Sequence, residues 1–299
     1  MQIRVLGSAA GGGFPQWNCR CPVCALAWDN DPRVSPRTQS SLAISADGSH
    51  WLLLNASPDL RQQISANAVL HPGSGRRGSP IFGVWLTNGD IDHVAGLLSL
   101  REQQDFTIFA TRGILDELAS NAIFSALAHD VVVRRAIPDN AEIATGYGLN
   151  VTSFAVPGKV PLYREGAQVL TDEIGDMTSG LALRHAGRTA LYIPGCARMT
   201  PEIKARITKA DVLLFDGTTF VDDEMLQLGL SNKTAARMGH LAMSGPGGTM
   251  AALADVTGPR KIFIHINNTN PALIADSPER RAVEAAGWEI AHDGMEIDL

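Results

Sequence analysis

A polar segment that could bind a metal ion lies between two apolar stretches of the chain. It reads TNGDIDH from Thr87 to His93, with Asn88, Asp90 and Asp92 at alternate positions and His93 directly after them. Side chains at alternate positions leaving a strand point the same way, so the three can line one wall of a cleft. The same pattern is typical of a turn in which an aspartate caps the next helix. Taken alone, the segment fits both interpretations equally well.

A second candidate site is the run CRCPVC, which contains Cys19, Cys21 and Cys24. The C-x-C-x-x-C spacing places three thiolates close enough to share one tetrahedral ion, and zinc favours sulfur ligands in structural sites. In a reducing compartment, crowded thiols indicate a metal rather than disulfides. The alternative is a group of buried or redox-active thiols. A closed zinc site also needs a fourth ligand from elsewhere in the chain.

Three more polar residues follow predicted strands in the C-terminal half. Asp216 lies in LLFDGTTF, His240 in MGHLAMSG and His265 in FIHINNTNP. Each one alone is typical of a satisfied loop histidine or a helix-capping aspartate. Together they favour a site, because the side chains at strand ends of layered α/β proteins gather in one place.

Hydrophobic periodicity predicts the elements that position these residues. Strands are predicted over residues 2–7, 41–44, 51–55, 82–86, 180–184, 189–193, 212–216 and 261–266. Helices are predicted over residues 58–67, 95–102, 111–119, 201–210 and 248–256. Both halves mix runs of strands with helices. We therefore expect an α/β fold with two central sheets and helices outside, rather than an alternating doubly wound sheet.

Composition excludes several classes of protein. The 299 residues are 45% hydrophobic and 19% charged, which is typical of a globular chain. The net charge of −6 argues against a broad surface for nucleic acid or anionic lipid. No segment is apolar for long enough to predict a signal peptide or a membrane span, so we expect a cytoplasmic protein. The cluster GSAAGGG lacks the dinucleotide-binding spacing and predicts a tight loop instead.

Four segments together resemble one family. GGGFPQWNCRCPVC, TNGDIDHVAGLLSLRE, MGHLAMSG and FIHINNTNP are similar to the pyrroloquinoline quinone (PQQ) biosynthesis protein B family of the metallo-β-lactamase superfamily, and the resemblance runs from end to end. It implies a four-layer αββα sandwich that forms a single domain over residues 1–299. It also implies a structural zinc in the loop at residues 19–24, as in the phosphodiesterase branch of the superfamily.

The departures from the superfamily pattern concern one of its two metal positions. The usual first motif, H-x-H-x-D-H, has histidines where this chain has Asn88 and Asp90. The histidine of the middle motif is replaced in the region of Gly158 and Lys159, and Gly195 stands where the bridging aspartate is expected. The resemblance therefore implies that the first metal position is vacated.

The second metal position keeps its residues, Asp92, His93 and His265. Two imidazoles and one carboxylate with open coordination positions form the facial triad of non-haem Fe(II) oxygenases. The resemblance implies hydroxylation of the tyrosine ring of a peptide-derived PQQ precursor. Asp90 would be an auxiliary ligand and proton acceptor, and His240 would move protons or hydrogen-bond the phenol.

Several alternatives stay open at this point. The phosphodiesterase branch closes its cysteine site with a histidine where this chain has Asn268, so His265 could serve either metal. Asp216 lies one strand end after the usual bridging position, which makes it a weaker candidate ligand. The protein could also be a carrier of PQQ or of a late intermediate, or a residual metal-dependent hydrolase. The expected partners are a tyrosine-containing precursor or small peptide, PQQ itself, and a second copy of the chain.

Overall fold

The computed structural model describes residues 1–166 and 170–299, and its centre is a pair of seven-stranded sheets. The strands are β1 (Gln2–Gly7), β2 (Ser41–Ser45), β3 (Trp51–Leu54), β4 (Ile81–Trp85), β5 (Phe106–Ala110), β6 (Val132–Ala136), β7 (Glu142–Ala144), β8 (Asn150–Ala155), β9 (Ser179–His185), β10 (Arg188–Ile193), β11 (Val212–Asp216), β12 (Arg260–Ile264), β13 (Trp288–Ile290) and β14 (Glu296–Asp298). The first sheet has the order β14-β1-β2-β3-β4-β5-β6, and the second has the order β13-β12-β11-β10-β9-β8-β7.

Each sheet has an antiparallel part and a parallel part. In the first sheet, β3, β4, β5 and β6 pair in parallel. In the second sheet, β10, β11, β12 and β13 do the same. The strand β11 is buried along its whole length, as expected for a parallel strand covered on both faces. The carboxyl ends of neighbouring parallel strands lie at one edge of a sheet, where ligands of such folds are usually bound.

Helices cover the outer face of each sheet. The α-helices of the described residues are α1 (Pro22–Trp28), α2 (Leu60–Ala66), α3 (Ile91–Val94), α4 (Arg112–Ser120), α5 (Pro201–Ile207), α6 (Glu224–Gln227), α7 (Ala235–Met238), α8 (Thr249–Ala252) and α9 (Pro278–Ala285). Short 3-10 helices span Ala68–Leu70, Ala95–Leu100, Ala122–Ala126, Leu162–Arg164 and Pro271–Leu273.

Three apolar clusters within the described residues hold the layers together. One lies between the sheets and joins residues such as Leu52 of the first sheet to Leu181 and Leu214 of the second. A second packs the first sheet against its helices, and a third packs the second sheet against its helices and the cysteine-containing N-terminal loop. Two sheets with a helical layer on each side form the predicted αββα sandwich, and that prediction is confirmed.

The helix predicted over residues 95–102 is present in part but is of a different kind. The chain forms α3 over Ile91–Val94 and then a 3-10 helix over Ala95–Leu100. The amide of Gly96 donates to the Ala56 carbonyl, and the amide of Ala56 donates to the carbonyl of His93. A Cβ atom on Gly96 would lie 2.0 Å from the carbonyl oxygen of Ser57. These close backbone contacts replace a regular helix. The helix predicted over residues 248–256 is likewise reduced to α8.

The other predicted elements are present, with ends that differ by a few residues. The glycine cluster forms the tight loop that we expect, because Gly12 and Gly13 have φ angles of 94° and 70°. Within residues 1–166 and 170–299, no helix has the length and apolarity needed to cross a membrane.

Candidate metal centre

The polar residues that follow three parallel strands converge on one cavity. The segment after β4 contributes Asp92 and His93, the loop after β11 contributes Thr218, and His265 follows β12 directly. The cavity has a volume of about 260 Å³ and is also lined by His240. The two sheets therefore supply residues to the same site, as the strand-end pattern predicts.

His93 is held with one ring nitrogen available to a ligand. Its side chain is buried, and Nδ1 lies 2.7 Å from Oδ1 of Asn88. The amide oxygen of Asn88 can only accept, so Nδ1 of His93 carries the hydrogen and Nε2 carries the lone pair. Nε2 is buried and has no hydrogen-bond partner in the described residues. A buried nitrogen without a partner is costly, and a metal ion would satisfy it.

His265 points into the same cavity because the chain turns sharply after β12. Its φ angle of 61° lies in the left-handed region, which is uncommon for a residue other than glycine. Nδ1 lies 2.9 Å from the hydroxyl oxygen of Thr218, and Nε2 lies 3.1 Å from Oδ2 of Asp92. The hydroxyl of Thr218 donates to Asp216 over 2.7 Å and can accept from His265. Nε2 of His265 is thus the nitrogen available to an ion.

Asp92 completes a set of three ligands that fits a metal ion. Its Oδ2 atom lies 3.7 Å from Nε2 of His93, and one ligand atom from each of Asp92, His93 and His265 lies within 4.8 Å of the others. Gly11 borders the carboxylate, since a Cβ atom there would lie 3.4 Å from Cγ of Asp92. The unpartnered nitrogen of His93 and this donor set match the facial arrangement of two imidazoles and one carboxylate.

Burial and neighbouring charges keep His93 and Asp92 in the forms that bind metal, whereas His265 holds a proton that an ion must displace. Burial lowers the pKa of His93 to about 4, so the imidazole is neutral at pH 7. Burial alone would raise the pKa of Asp92, but attraction to His93 and the hydrogen bond from His265 hold that pKa below its ordinary value. Burial lowers the pKa of His265, yet its hydrogen bond to Asp92 and the nearby carboxylates raise the pKa overall. A bound cation would displace that proton.

Asp90 lines the cavity but lies outside the compact ligand set. It precedes α3 at the capping position, but its side chain makes no capping hydrogen bond within the described part of the chain. Oδ1 instead accepts from the Leu162 amide over 3.2 Å. Burial, followed by repulsion from Asp92, raises the pKa of Asp90. A carboxyl group of this kind can exchange a proton with a ligand in the cavity.

His240 and Asp216 form a hydrogen-bonded pair beside the ligand set. Nδ1 of His240 lies 2.8 Å from Oδ2 of Asp216, which also accepts from the Cys196 amide over 3.0 Å. Oδ1 of Asp216 accepts from the amide and the hydroxyl of Thr218. Although Asp216 is close enough to His240 and His265 to form a second group of potential ligands, both of its oxygens are occupied. We therefore assign Asp216 to orienting His240 and Thr218.

The three cysteines form a separate group next to Asn268. Their sulfur atoms lie within 4.8 Å of one another, and Cys21 and Cys24 are buried. The backbone oxygen of Asn268 lies 3.7 Å from both buried sulfurs, and its side-chain amide lies 3.3 Å from Sγ of Cys24. The backbone oxygen of Asn268 is thus placed to complete this site. His265 instead contacts Asp92 and Thr218, at the other cavity.

The replaced residues of the first metal position have different surroundings. A Cβ atom on Gly158 would lie 2.4 Å from Oγ1 of Thr178, so there is no room for a side chain. A Cβ atom on Gly195 would lie 3.6 Å from the His240 ring, which is ordinary contact. The oxygen of Asn88 is engaged by His93. Of the two glycines, Gly195 alone has room for a side chain.

Comparison with known proteins identifies the family. Residues 50–266 match the beta-lactamase superfamily domain. The chain is 56% identical over 299 residues to coenzyme PQQ synthesis protein B from Methylorubrum extorquens, with all of both chains covered. It is 52% identical to the protein of that name from Gluconacetobacter diazotrophicus, with 99% of each covered. The chain belongs to the coenzyme PQQ synthesis protein B family.

Solved structures agree with this family and with the fold. The crystal structure of Zn(2+)-bound PqqB from Methylobacterium extorquens matches with a TM-score of 0.98 and 56% identity, and all of both chains are covered. A diphosphatase from the PhnP family matches with a TM-score of 0.68 and 17% identity, over 99% of this chain and 96% of that one. The second likeness concerns the fold alone. The predicted metallo-β-lactamase type of sandwich is confirmed.

Proposed function

We propose that this protein acts in PQQ biosynthesis as a metal- and O2-dependent hydroxylase of the tyrosine ring in a peptide-derived precursor. The name of the relatives supports the pathway. The observation that carries the chemistry is the buried Nε2 atom of His93, which lies near Asp92 and His265 and has no partner in the described residues. A site of this kind binds one divalent ion and leaves coordination positions open.

A single functional ion fits this chain better than the two ions of a hydrolase. Two-metal hydrolases use both ions to activate water and to stabilise the leaving oxygen. Here Asn88 orients His93, and Gly158 cannot carry a ligand without displacing Thr178. These two residues support a one-metal reaction.

The residues of the chain have separate roles in this proposal. Asp92, His93 and His265 would hold Fe(II), which supplies O2 activation when it is bound. His240 is oriented through Nδ1 by Asp216, so Nε2 is the nitrogen available to accept or return the phenol proton. Asp90 would be the auxiliary proton acceptor at the wall of the cavity.

The reaction balances with an external reductant. A C–H bond of the ring is converted into a C–OH group. One oxygen atom of O2 forms this hydroxyl group, and the other leaves as water. This requires two electrons and two protons in addition to O2. We propose a small organic reductant such as ascorbate as the electron source.

A second ion, Zn2+, would have a structural role at the cysteine group. Cys19, Cys21 and Cys24 supply three thiolates, and Asn268 supplies the fourth donor through an oxygen atom. This assignment leaves His265 for the functional ion. The zinc ion at the cysteine group would then connect the N-terminal loop to the segment after β12.

Oxygen uptake by Fe(II)-loaded protein tests this function. With ascorbate and a glutamyl-tyrosine peptide, the wild-type protein should consume O2, and His93→Ala should abolish the uptake. His50→Ala is the matched control, because His50 is a surface histidine paired with Asp47. Uptake that survives His93→Ala would contradict the proposal. Tight PQQ binding without uptake would favour a carrier, and phosphodiester cleavage with Zn2+ or Mn2+ would favour a hydrolase.

A further inference from the structure

Three basic residues surround one glutamate at the wall of the metal cavity. Nζ of Lys159 lies 3.1 Å from Oε1 of Glu165, and Nζ of Lys233 lies 3.6 Å from Oε2. Nη2 of Arg237 lies 3.2 Å from the same Oε2 atom. We name these four residues the basic wall. Lys159, Glu165 and Lys233 line the cavity that contains the proposed metal ligands, while Arg237 anchors Glu165 from behind.

The charges of the basic wall do not balance. Three cations contact one carboxylate, which leaves two net positive charges within the basic wall itself, beside Asp90 and Asp92 of the same cavity. The side chains of Lys159 and Glu165 are only 13% and 10% exposed, so solvent screens them weakly. The whole chain has a net charge of −6, so this excess of positive charge is local. A cavity wall of this kind attracts an anionic group of a ligand.

The local structure fixes the two lysines beside the proposed reaction centre. The stem of Lys159 packs under Gly239, where a Cβ atom would lie 3.1 Å from Cγ of the lysine. Lys233 precedes α7, and the same short segment ends in Gly239 and His240. Glu165 holds both ammonium groups in place before a ligand arrives, which reduces the entropy cost of binding. A ligand bound to the lysines would thus lie next to His240.

We propose that Lys159 and Lys233 bind a carboxylate of the substrate, with Glu165 and Arg237 as positioning residues. The substrate is then an amino-acid-like phenol whose carboxylate binds the basic wall while its ring lies at the metal ligands. This inference rests on the proposed function for the position of the ring. The carboxylate preference itself is independent of any reaction.

Binding of tyrosine analogues to Zn2+-loaded protein tests the proposal without turnover. Isothermal titration should give tighter binding for L-tyrosine than for L-tyrosinamide, which keeps the phenol and loses the carboxylate, by a factor on the order of ten. Lys159→Met and Lys233→Met should each bring the two affinities to within about twofold of each other. Lys209→Met, an exposed lysine outside this cavity, should leave the ratio unchanged.

The outcomes separate this inference from the hydroxylase proposal. Equal affinities in the wild type, no binding of L-tyrosine, or a ratio that neither substitution changes would overturn the carboxylate subsite. Lys233 has a side chain 37% exposed, so Lys233→Met tests the subsite if Lys159→Met fails to fold. Carboxylate-selective binding without O2 uptake would sustain the subsite and contradict the hydroxylase.

Discussion

Asn88 holds His93 through a 2.7 Å hydrogen bond between its side-chain oxygen and Nδ1 of the imidazole. The same oxygen accepts from the Asp90 amide over 3.0 Å, so Asn88 also fixes the loop that carries the ligands. In the superfamily pattern, this position belongs to a metal-binding histidine. In this chain the asparagine at this position instead holds His93 of the candidate ligand set.

Asn88→Ala should weaken metal binding at the triad. Loss of the acceptor frees the imidazole to rotate or change tautomer, and loss of such supporting groups typically lowers metal affinity about 10- to 100-fold. Asn88→Asp keeps an acceptor for Nδ1 and should retain the affinity. Titration against a competing chelator measures both variants. Unchanged affinity in Asn88→Ala would show that packing alone orients His93.

The two metal sites should lose their ions independently. Zinc analysis of purified protein should show that His93→Ala loses the ion of the triad and retains the cysteine ion, whereas Cys24→Ser does the reverse. Cys24→Ser should also lower the thermal stability more, because an ion at the cysteine group would connect residues 19–24 to Asn268. Loss of both ions in a folded His265→Ala variant would place His265 at the cysteine site and contradict our assignment.

Gly158→Ala should destabilise the protein, whereas Gly195→Ala should not. The added methyl group at Gly158 meets Thr178 at 2.4 Å, and overpacking of this kind typically costs about 1–3 kcal/mol. At Gly195 the methyl group meets His240 at an ordinary 3.6 Å. Denaturant unfolding of the two variants gives the comparison. Similar free energies of unfolding would mean that the first metal position is still open at both residues.

Glu224→Gln should make the protein more stable relative to the wild type as the pH rises. Burial raises the pKa of this carboxyl from 4.5 to about 7 in the folded chain. Because the folded-state pKa is raised, the stability that the wild-type protein gains from binding a proton at Glu224 is fully present below pH 4.5. That stability is lost as the pH rises to about 7. The stability difference between variant and wild type should grow over this window by up to about 3 kcal/mol. A pH-independent difference in denaturant unfolding would show that Glu224 titrates normally.

Much of the sheet structure follows from local sequence, because long buried strands have continuous apolar runs. The strand VLLFD coincides with β11, and QIRVLG coincides with β1. Strands β7, β13 and β14 have three residues each, which is too short for a periodic pattern. Their pairing depends on neighbouring strands. A regular α-helix does not form over residues 95–102, because backbone contacts with residues 56–57 override the apolar periodicity of this segment.

The cluster of candidate metal ligands could be predicted from the sequence and is present in the structure, but the residues that orient them could not be predicted. Asp92, His93 and His265 are chemically conspicuous at strand ends. Thr218 has no comparable signal, because a threonine gains a role only through its neighbours in space. Asn88 could only be interpreted as a lost ligand, since its bond to His93 depends on side-chain geometry.

The basic wall was also beyond sequence analysis. Glu165 meets Lys233 and Arg237 across about seventy residues of chain, and no local pattern encodes such a pairing. Lys159 was visible only as a departure from the superfamily motif. The contact between these segments exists because the loops after β8 and before α7 meet at the cavity.

Isotope labelling tests the central claim most directly. The Fe(II)-loaded protein is mixed with a glutamyl-tyrosine peptide, ascorbate and oxygen-18-labelled O2, and the product is analysed by mass spectrometry. We predict one labelled oxygen atom in the tyrosine ring with the wild type and none with His265→Ala. A ring oxygen that derives from water, or equal labelling in His265→Ala, would contradict oxygenation at the site formed by Asp92, His93 and His265.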